Sequence, residues 1–283
     1  MRQTHIKSEC CVATFLDFES MNAEFVDQLV NFARFLAKES AKATLPLFRS
    51  NLAVDAKKSH DWDPVTEADR SAERLIRQHI HARYPDHGII GEEYGITLGT
   101  SGIDWILDPV DGTRSFVIGM PTWTTLIGVY VDGKPLIGIM YQPYVGEMFV
   151  GQPGRATIER HSETRDIRVR PSPNLSQAQI GTTTAQLADL NPNSAGYEKL
   201  AKTVQLTRYS GDAYFFSLVA AGHLDIAVDA GMQIYDIAAL IPIIQGAGGC
   251  LMEWTGGDPT KGGNIIAANS EKLLHAAAEI LRG

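Results

Sequence analysis

From Ile180 to Leu281 short apolar runs take turns with amphipathic helical stretches, and that rhythm leaves few ways to fold. Ile180 to Thr184, Gln205 to Tyr209, Leu224 to Val228, Cys250 to Trp254 and Ile265 to Ala268 read as strands. Tyr197 to Val204, Ala213 to Ala221, Ile237 to Gln245 and Glu271 to Leu281 read as helices. Strands this short bury themselves only when helices cover both sheet faces, so the alternation predicts a layered α/β architecture.

The first half has a different grain. Phe25, Leu29, Phe32, Phe35 and Leu36 recur at three- and four-residue steps, which predicts one helix from Ala23 to about Arg49 with Asn22 as its N-cap. A second helix is expected from Thr66, where Thr66-x-x-Asp69 resembles a capping box, to just before Tyr84-Pro85. Ile89-Ile90 is a short strand ending at Gly91-Glu92-Glu93, and Asp104 to Leu107 is another that runs into Asp108. Thr124 to Val131 and Pro135 to Gln142 flank Asp132-Gly133, a strong hairpin signal, and Val145 to Val150 adds a strand. The charged, Pro-containing text from Arg155 to Asn174 is the expected hinge. The chain therefore divides into a loosely attached extension over 1–21, an N-terminal lobe over 22–170 and a C-terminal lobe over 171–283, the two lobes forming one catalytic unit.

Composition narrows the function classes. The 283 residues carry 25 Lys+Arg against 33 Asp+Glu, a net charge of −8, with no basic block, which argues against a nucleic-acid surface. Apolar runs such as Leu126 to Val131 stop well short of the ~20 residues that span a bilayer. Cys10, Cys11 and Cys250 fit neither a C-x-x-C site nor a secreted disulfide framework, so a reducing cytoplasm is the expected compartment.

Carboxylates stand in unusual places. Asp63-Pro-Val-Thr66-x-x-Asp69, Gly91-Glu92-Glu93, Asp108-Pro-Val-Asp111-Gly-Thr113 and Tyr235-Asp236 all adjoin apolar runs, where an acid carries a desolvation cost. Helix capping and Asp-Gly turn chemistry account for any one of them. All four together point further. Pro109 stiffens the step between Asp108 and Asp111, and that spacing lets two carboxylates and the Val110 carbonyl converge on one point. Such hard oxygen donors suit Mg²⁺. Gly112-Thr113 then sets small-residue amides at the start of a helical turn, where an anion is stabilised. A cation beside an anion cradle means phosphate chemistry.

These residues also carry a resemblance. Trp105-Ile-Leu-Asp108-Pro-Val-Asp111-Gly-Thr113 and Asp236-Ile-Ala-Ala look like the two signature motifs of the inositol monophosphatase-like superfamily of Mg²⁺-dependent, lithium-sensitive phosphatases. Asp63-x-Val65-Thr66-x-x-Asp69 and Gly91-Glu92-Glu93 match its upstream motifs in order, so the likeness spans about Phe25 to Leu281. It implies an α-β-α-β-α sandwich, commonly dimeric, acting on a small phosphorylated metabolite with two or three Mg²⁺ per active site. Glu92, Asp108 and the Val110 carbonyl would hold one ion, Asp108, Asp111 and Asp236 a second, with a weaker third near Glu92. Asp69 and Thr113 would orient and deprotonate the attacking water, and the Gly112 and Thr113 amides would take a phosphate oxygen.

Residues beside the motifs address the substrate. Arg114-Ser-Phe116 with Gly119-Met-Pro121-Thr-Trp123-Thr-Thr125-Leu-Ile127 resembles the histidinol-phosphate phosphatase branch, where inositol-type members usually have Thr-Asn-Phe. Tyr209-Ser-Gly211-Asp212-Ala-Tyr214 and Asp229-Ala-Gly231-Met-Gln-Ile-Tyr235-Asp236 agree, although Gln233-Ile234 replaces a common Lys-Pro pair and Ala213 a common Cys. Arg114, Asp212 and Asp229 are the expected substrate contacts, the two acids meeting an ammonium and an imidazole. The plainer alternatives are an N-cap for Asp212 and a turn residue for Asp229. Two other functions stay open: hydrolysis of inositol phosphate or another small ester, and a regulatory or binding protein that uses the fold as a platform. His79 and His81 read as surface, Lys57-Lys58 as a loop pair, Trp123 as core or pocket wall, and Gly246 to Gly249 as a helix end.

Overall fold

The computed structural model describes residues 22–50, 54–56, 64–184 and 195–283. The expectations for residues 1–21, Lys57-Lys58 and Asp63 lie outside the described residues.

Helix α1 (Ala23–Thr44) starts as its sequence demands, with the Asn22 side chain accepting the Glu24 amide at 2.9 Å. It ends before the expected Arg49. Pro46 has no amide to continue the ladder, and the chain tightens into turns that close at Arg49, whose φ is +60°. Strands β1 (Val54–Ala56) and β2 (Pro64–Thr66) pair with each other and lead into α2 (Glu67–Arg83). The Thr66/Asp69 capping box forms as expected.

Eight strands then build one sheet: β3 (Gly88–Gly91), β4 (Gly95–Thr97), β5 (Ile103–Asp111), β6 (Thr124–Val131), β7 (Lys134–Gln142), β8 (Glu147–Gln152), β9 (Arg155–Arg160) and β10 (Glu163–Asp166), in the order β10-β9-β8-β7-β6-β5-β3-β4. The short helix α3 (Thr113–Val117) follows β5. The charged stretch read as a hinge thus opens with a hairpin, β9–β10, that completes the sheet edge. All four β10 residues are exposed, and exposed charge is how an edge strand avoids further pairing.

The second sheet runs β12-β11-β13-β15-β14, formed by β11 (Gln179–Thr182), β12 (Leu206–Tyr209), β13 (Ile226–Met232), β14 (Cys250–Glu253) and β15 (Gly263–Ala268). Its helices are α4 (Ala195–Thr203), α5 (Asp212–Ala220), α6 (Ile234–Ile237), α7 (Leu240–Gly246) and α8 (Glu271–Arg282). The single helix expected from Ile237 to Gln245 is two pieces. Pro242 can sit only in the first turn of a helix, so the chain must break and restart at Leu240.

Five layers result. Leu29, Leu36, Ile76 and Ile80 of α1 and α2 bury one face of the large sheet against Trp105, Ile127 and Ile139. Leu126, Met140 and Phe149 on its other face meet Phe216, Leu240, Ile241 and Ile243, which also pack on Ala227, Ile265 and Ala267 of the small sheet. Tyr197, Leu200, Leu274 and Leu281 of α4 and α8 cover the small sheet outside. One core therefore joins residues from both halves of the chain. Among the described residues no helix is long and apolar enough to cross a membrane.

One detail of the middle layer positions the site. Gly128, Gly138 and Gly151 are register neighbours on β6, β7 and β8. A Cβ on Gly138 would stand 1.8 Å from the Ala239 carbonyl oxygen, and one on Gly128 would stand 2.8 Å from the Ala238 Cβ. This side-chain-free groove seats the elbow between α6 and α7.

Candidate active site

In a regular strand Asp108 and Asp111, three residues apart, would face opposite sides. Here Asp108 pairs with Leu126 but Asp111 pairs with Thr124, so β5 carries one extra residue: a bulge at Pro109-Val110. The bulge re-aims the strand and brings both carboxylates to one side. Pro109 offers no ladder donor, and its carbonyl accepts the Thr125 hydroxyl at 2.8 Å. The Val110 amide donates to Asp108 Oδ1 at 3.1 Å.

The third acid arrives from the other half of the chain. Asp236 occupies the third position of α6, where its Oδ2 accepts the Gln233 amide at 2.6 Å in a capping box. Asp108, Asp111 and Asp236 each offer a carboxylate oxygen, all within 4.8 Å of one another. Asp108 is 2% exposed. Burial, followed by the charges of Glu92, Asp111 and Asp236, pushes its carboxyl well above the usual range. Burial and the charges of Asp212 and Asp236 do the same to Asp111. Burial raises Asp236 to about 7 against the opposing Gln233 bond. Glu92, from the turn after β3, shares a hydrogen bond with Asp108. Four carboxyls crowded in low dielectric with no cationic side chain among those influences form a set that a divalent cation would neutralise.

Asp69 and Thr113 stand beside this ring. Asp69 Oδ2 accepts the Thr66 amide at 2.9 Å and its hydroxyl at 2.5 Å, while Oδ1 faces the Thr113 hydroxyl at 3.3 Å. Burial raises the Asp69 carboxyl, and Glu92 adds to the rise while the Thr66 bonds oppose it. The Thr113 hydroxyl oxygen also lies 3.2 Å from the Val110 carbonyl oxygen, whose second lone pair leaves capacity for another partner. Gly112 holds φ +80° at the cap of α3, a conformation that favours glycine.

The three expected substrate contacts are placed differently from one another. Arg114 is exposed on α3. Asp212 is not the N-cap of α5, since Gly211 holds that position without a side-chain bond. Its Oδ2 instead accepts the Ser115 hydroxyl at 2.7 Å and the Thr122 hydroxyl at 3.3 Å, and its carboxylate would lie 2.8 Å from any Cβ on Gly112. The next amide, of Ala213, donates to Asp111 Oδ2 at 3.0 Å. Asp229 is no turn residue either: it lies within β13 and is buried. Thr182 and Thr183 fill its carboxylate with two hydroxyl donors and the Thr183 amide, but burial still raises it to about 7.

Sequence reasoning missed Ser115 and Thr122, which nothing local distinguishes from other hydroxyls. It also missed Glu73, a fully buried acid on α2. That signal was available, because Glu73 shares the helical face of Asp69, Ile76 and Ile80.

A layered α/β fold whose carboxylates converge beside a glycine-led helical turn defines a metal-dependent phosphatase. The family model described as Inositol monophosphatase family matches residues 26–282. Over 250 residues the chain is 37% identical to a Histidinol-phosphatase of Chlorobaculum parvum, covering 88% of this chain and 95% of that protein. It is 36% identical over 233 residues to the Bifunctional phosphatase IMPL2, chloroplastic, of Arabidopsis thaliana, covering 82% of this chain but 66% of that longer protein. Among solved structures, an inositol monophosphatase from Zymomonas mobilis superposes with a TM-score of 0.77 at 33% identity, over 92% of this chain and 99% of that one. The chain belongs to the inositol monophosphatase family. It is a phosphoric monoester hydrolase, and the layered sandwich expected from the sequence is the family's fold.

Proposed function

We propose that the chain is a Mg²⁺-dependent phosphatase that hydrolyses L-histidinol phosphate to L-histidinol and phosphate. The observation that carries the reaction is the convergence of Asp108, Asp111 and Asp236 beside Gly112-Thr113. All-oxygen donors favour Mg²⁺ over softer ions. Glu92, Asp108 and the Val110 carbonyl would hold one ion, and Asp108, Asp111 and Asp236 another. Bound cations supply charge that polarises the phosphoryl group and lowers the pKa of the attacking water.

The chain's own groups do the rest. Gly112 and Thr113 amides hold a phosphate oxygen, which fixes the line of attack. The Thr113 hydroxyl orients the water, and Asp69 Oδ1, its neighbour, takes the proton by way of Thr113. A carboxyl raised by burial is a better base than an exposed aspartate, which suits that task. The new P–O bond forms as the ester P–O bond breaks; the leaving alkoxide takes a proton from solvent water to become the alcohol, and the proton held on Asp69 returns to solvent.

Asp212 supports the choice of substrate. Ser115 and Thr122 hold this carboxylate against Gly112, next to the proposed phosphate cradle, where the ammonium of an amino alcohol phosphate can reach it. Asp229 is the second candidate, with Arg114 at the exposed rim. The relative named Histidinol-phosphatase points the same way. Turnover of histidinol phosphate and myo-inositol 1-phosphate tests the reading. Asp212→Asn is expected to lower kcat/KM for histidinol phosphate by about 10- to 100-fold, the worth of a charged hydrogen bond, and to spare the inositol ester. Equal losses on both substrates would count against selective recognition. A wild-type preference for the inositol ester would favour an inositol-1-monophosphatase, as the name of the Zymomonas mobilis relative suggests.

A further inference from the structure

We infer that the pair formed by the buried Glu73 and the partly exposed Arg77 of α2 is a positioning device that sets Glu92 in the carboxylate ring and thereby sets divalent-cation affinity. The inference rests on the proposed reading of Glu92 as a metal-holding residue.

Glu73 has a fully buried side chain, paired with Arg77 Nε at 2.7 Å. Its second oxygen accepts the Glu93 amide at 2.7 Å, and the first also accepts the Tyr94 amide at 3.2 Å. The two residues after Glu92 are thus hung from one carboxylate. The residue before Glu92 packs closely on the same group: a Cβ on Gly91 would stand 2.0 Å from Glu73 Oε1 and 2.7 Å from Arg77 Nη2. Arg77 extends the grip, donating to the Thr97 hydroxyl at 3.0 Å through Nη1 and to the Gly95 carbonyl through Nη2. The Glu92 amide itself donates to the Leu107 carbonyl of β5, one residue before Asp108.

A three-residue turn between β3 and β4 is short and its strand β4 is exposed along its length. Left alone, such a turn would let Glu92 swing away from three other acids that repel it. The Glu73 carboxylate removes that freedom by binding the backbone on the far side of the turn. Partners that orient a metal-holding residue are commonly worth 10- to 100-fold in metal affinity.

Calorimetric titration of the purified full chain with Mg²⁺ tests this, using Glu73→Gln, Arg77→Met, Glu92→Gln and the two pairs made with Glu92→Gln. Gln cannot pair ionically with Arg77, and its amide nitrogen would confront the Glu93 N–H. Glu73→Gln is expected to weaken Mg²⁺ binding about 10-fold or more, with no added loss once Glu92 is already Gln. Gln78→Ala, an exposed change on the same helix, is expected to keep wild-type affinity. Should Glu73→Gln not fold, Arg77→Met carries the same comparison, because it leaves the Glu73 carboxylate in place and removes only its fork. Melting of the metal-free variants records the stability cost separately. Wild-type affinity in the folded Glu73 or Arg77 variants, or the same loss with and without Glu92, overturns the inference. Wild-type affinity in Glu92→Gln overturns the metal assignment as well.

Discussion

At the scale of the residue, Asp69 shows how one carboxyl can be asked for two things. Its Oδ2 seals the start of α2 through Thr66, and its Oδ1 meets Thr113 at the edge of the ring. Loss of the side chain therefore costs both. Asp69→Asn keeps an acceptor for the cap but lacks a base, so kcat is expected to fall much further than the melting temperature. The opposite ranking would mark Asp69 as a cap alone. Asp108 is the more demanding position, being buried and influenced by three other acids. Asp108→Asn is expected to lower kcat by at least ~100-fold, comparable to the loss of other electrostatic stabilisers of a transition state. Near-normal turnover with metal bound would remove Asp108 from the reaction.

At the scale of the element, the site depends on irregularities more than on regular structure. The bulge in β5 turns a strand that would split Asp108 from Asp111 into one that gathers them. The elbow before Leu240 delivers Asp236, and the glycine groove of β6 to β8 seats it. Gly138→Ala is expected to destabilise the fold by about 1–3 kcal/mol or more in urea unfolding and to weaken Mg²⁺ binding with it, since the Ala239 backbone has to move. Unchanged midpoints would mean the elbow has slack. Most of these elements were legible in the sequence, because Thr66/Asp69, Asp132-Gly133 and the apolar rhythm after Ile180 are local signals. The split at Ala238-Ala239 was legible in principle from Pro242 but was hidden inside an uninterrupted apolar run. The β9–β10 hairpin, which fills the first part of the stretch expected to be a hinge, is hard to read from sequence because an exposed edge strand and a linker share the same charged composition. Asp212 and Asp229 were recognisable as residues of interest, yet their settings were not: the hydroxyls that hold them come from Ser115, Thr122, Thr182 and Thr183, far away in sequence.

At the scale of the whole molecule, charge burial links stability to pH and to metal. Asp69, Asp108, Asp111 and Asp236 all have carboxyls raised above the ordinary value of 3.8, Asp236 to about 7. A raised acid means that the folded chain holds more protons than the unfolded one across that interval, so this contribution to stability falls as pH rises from about 4 through about 7. Under the proposed assignment, a bound cation would compete with the protons on Asp108, Asp111 and Asp236. The rise in Tm on adding Mg²⁺ is therefore expected to be larger at pH 8 than at pH 6, and EDTA is expected to abolish it along with phosphate release. A Tm increment that is flat across that range would separate the ion from these acids.

The same assembly carries a consequence for synthesis. Glu92, Asp108 and Asp111 lie in the first half of the polypeptide, while Asp236 and the Ala213 amide that steadies Asp111 lie in the last third. Under the proposed assignment, a chain that stops short of Asp236 would lack one of the three converging carboxylates and is expected to be inactive. Regain of activity during renaturation is then expected to require docking of both halves of the chain, whichever folds first.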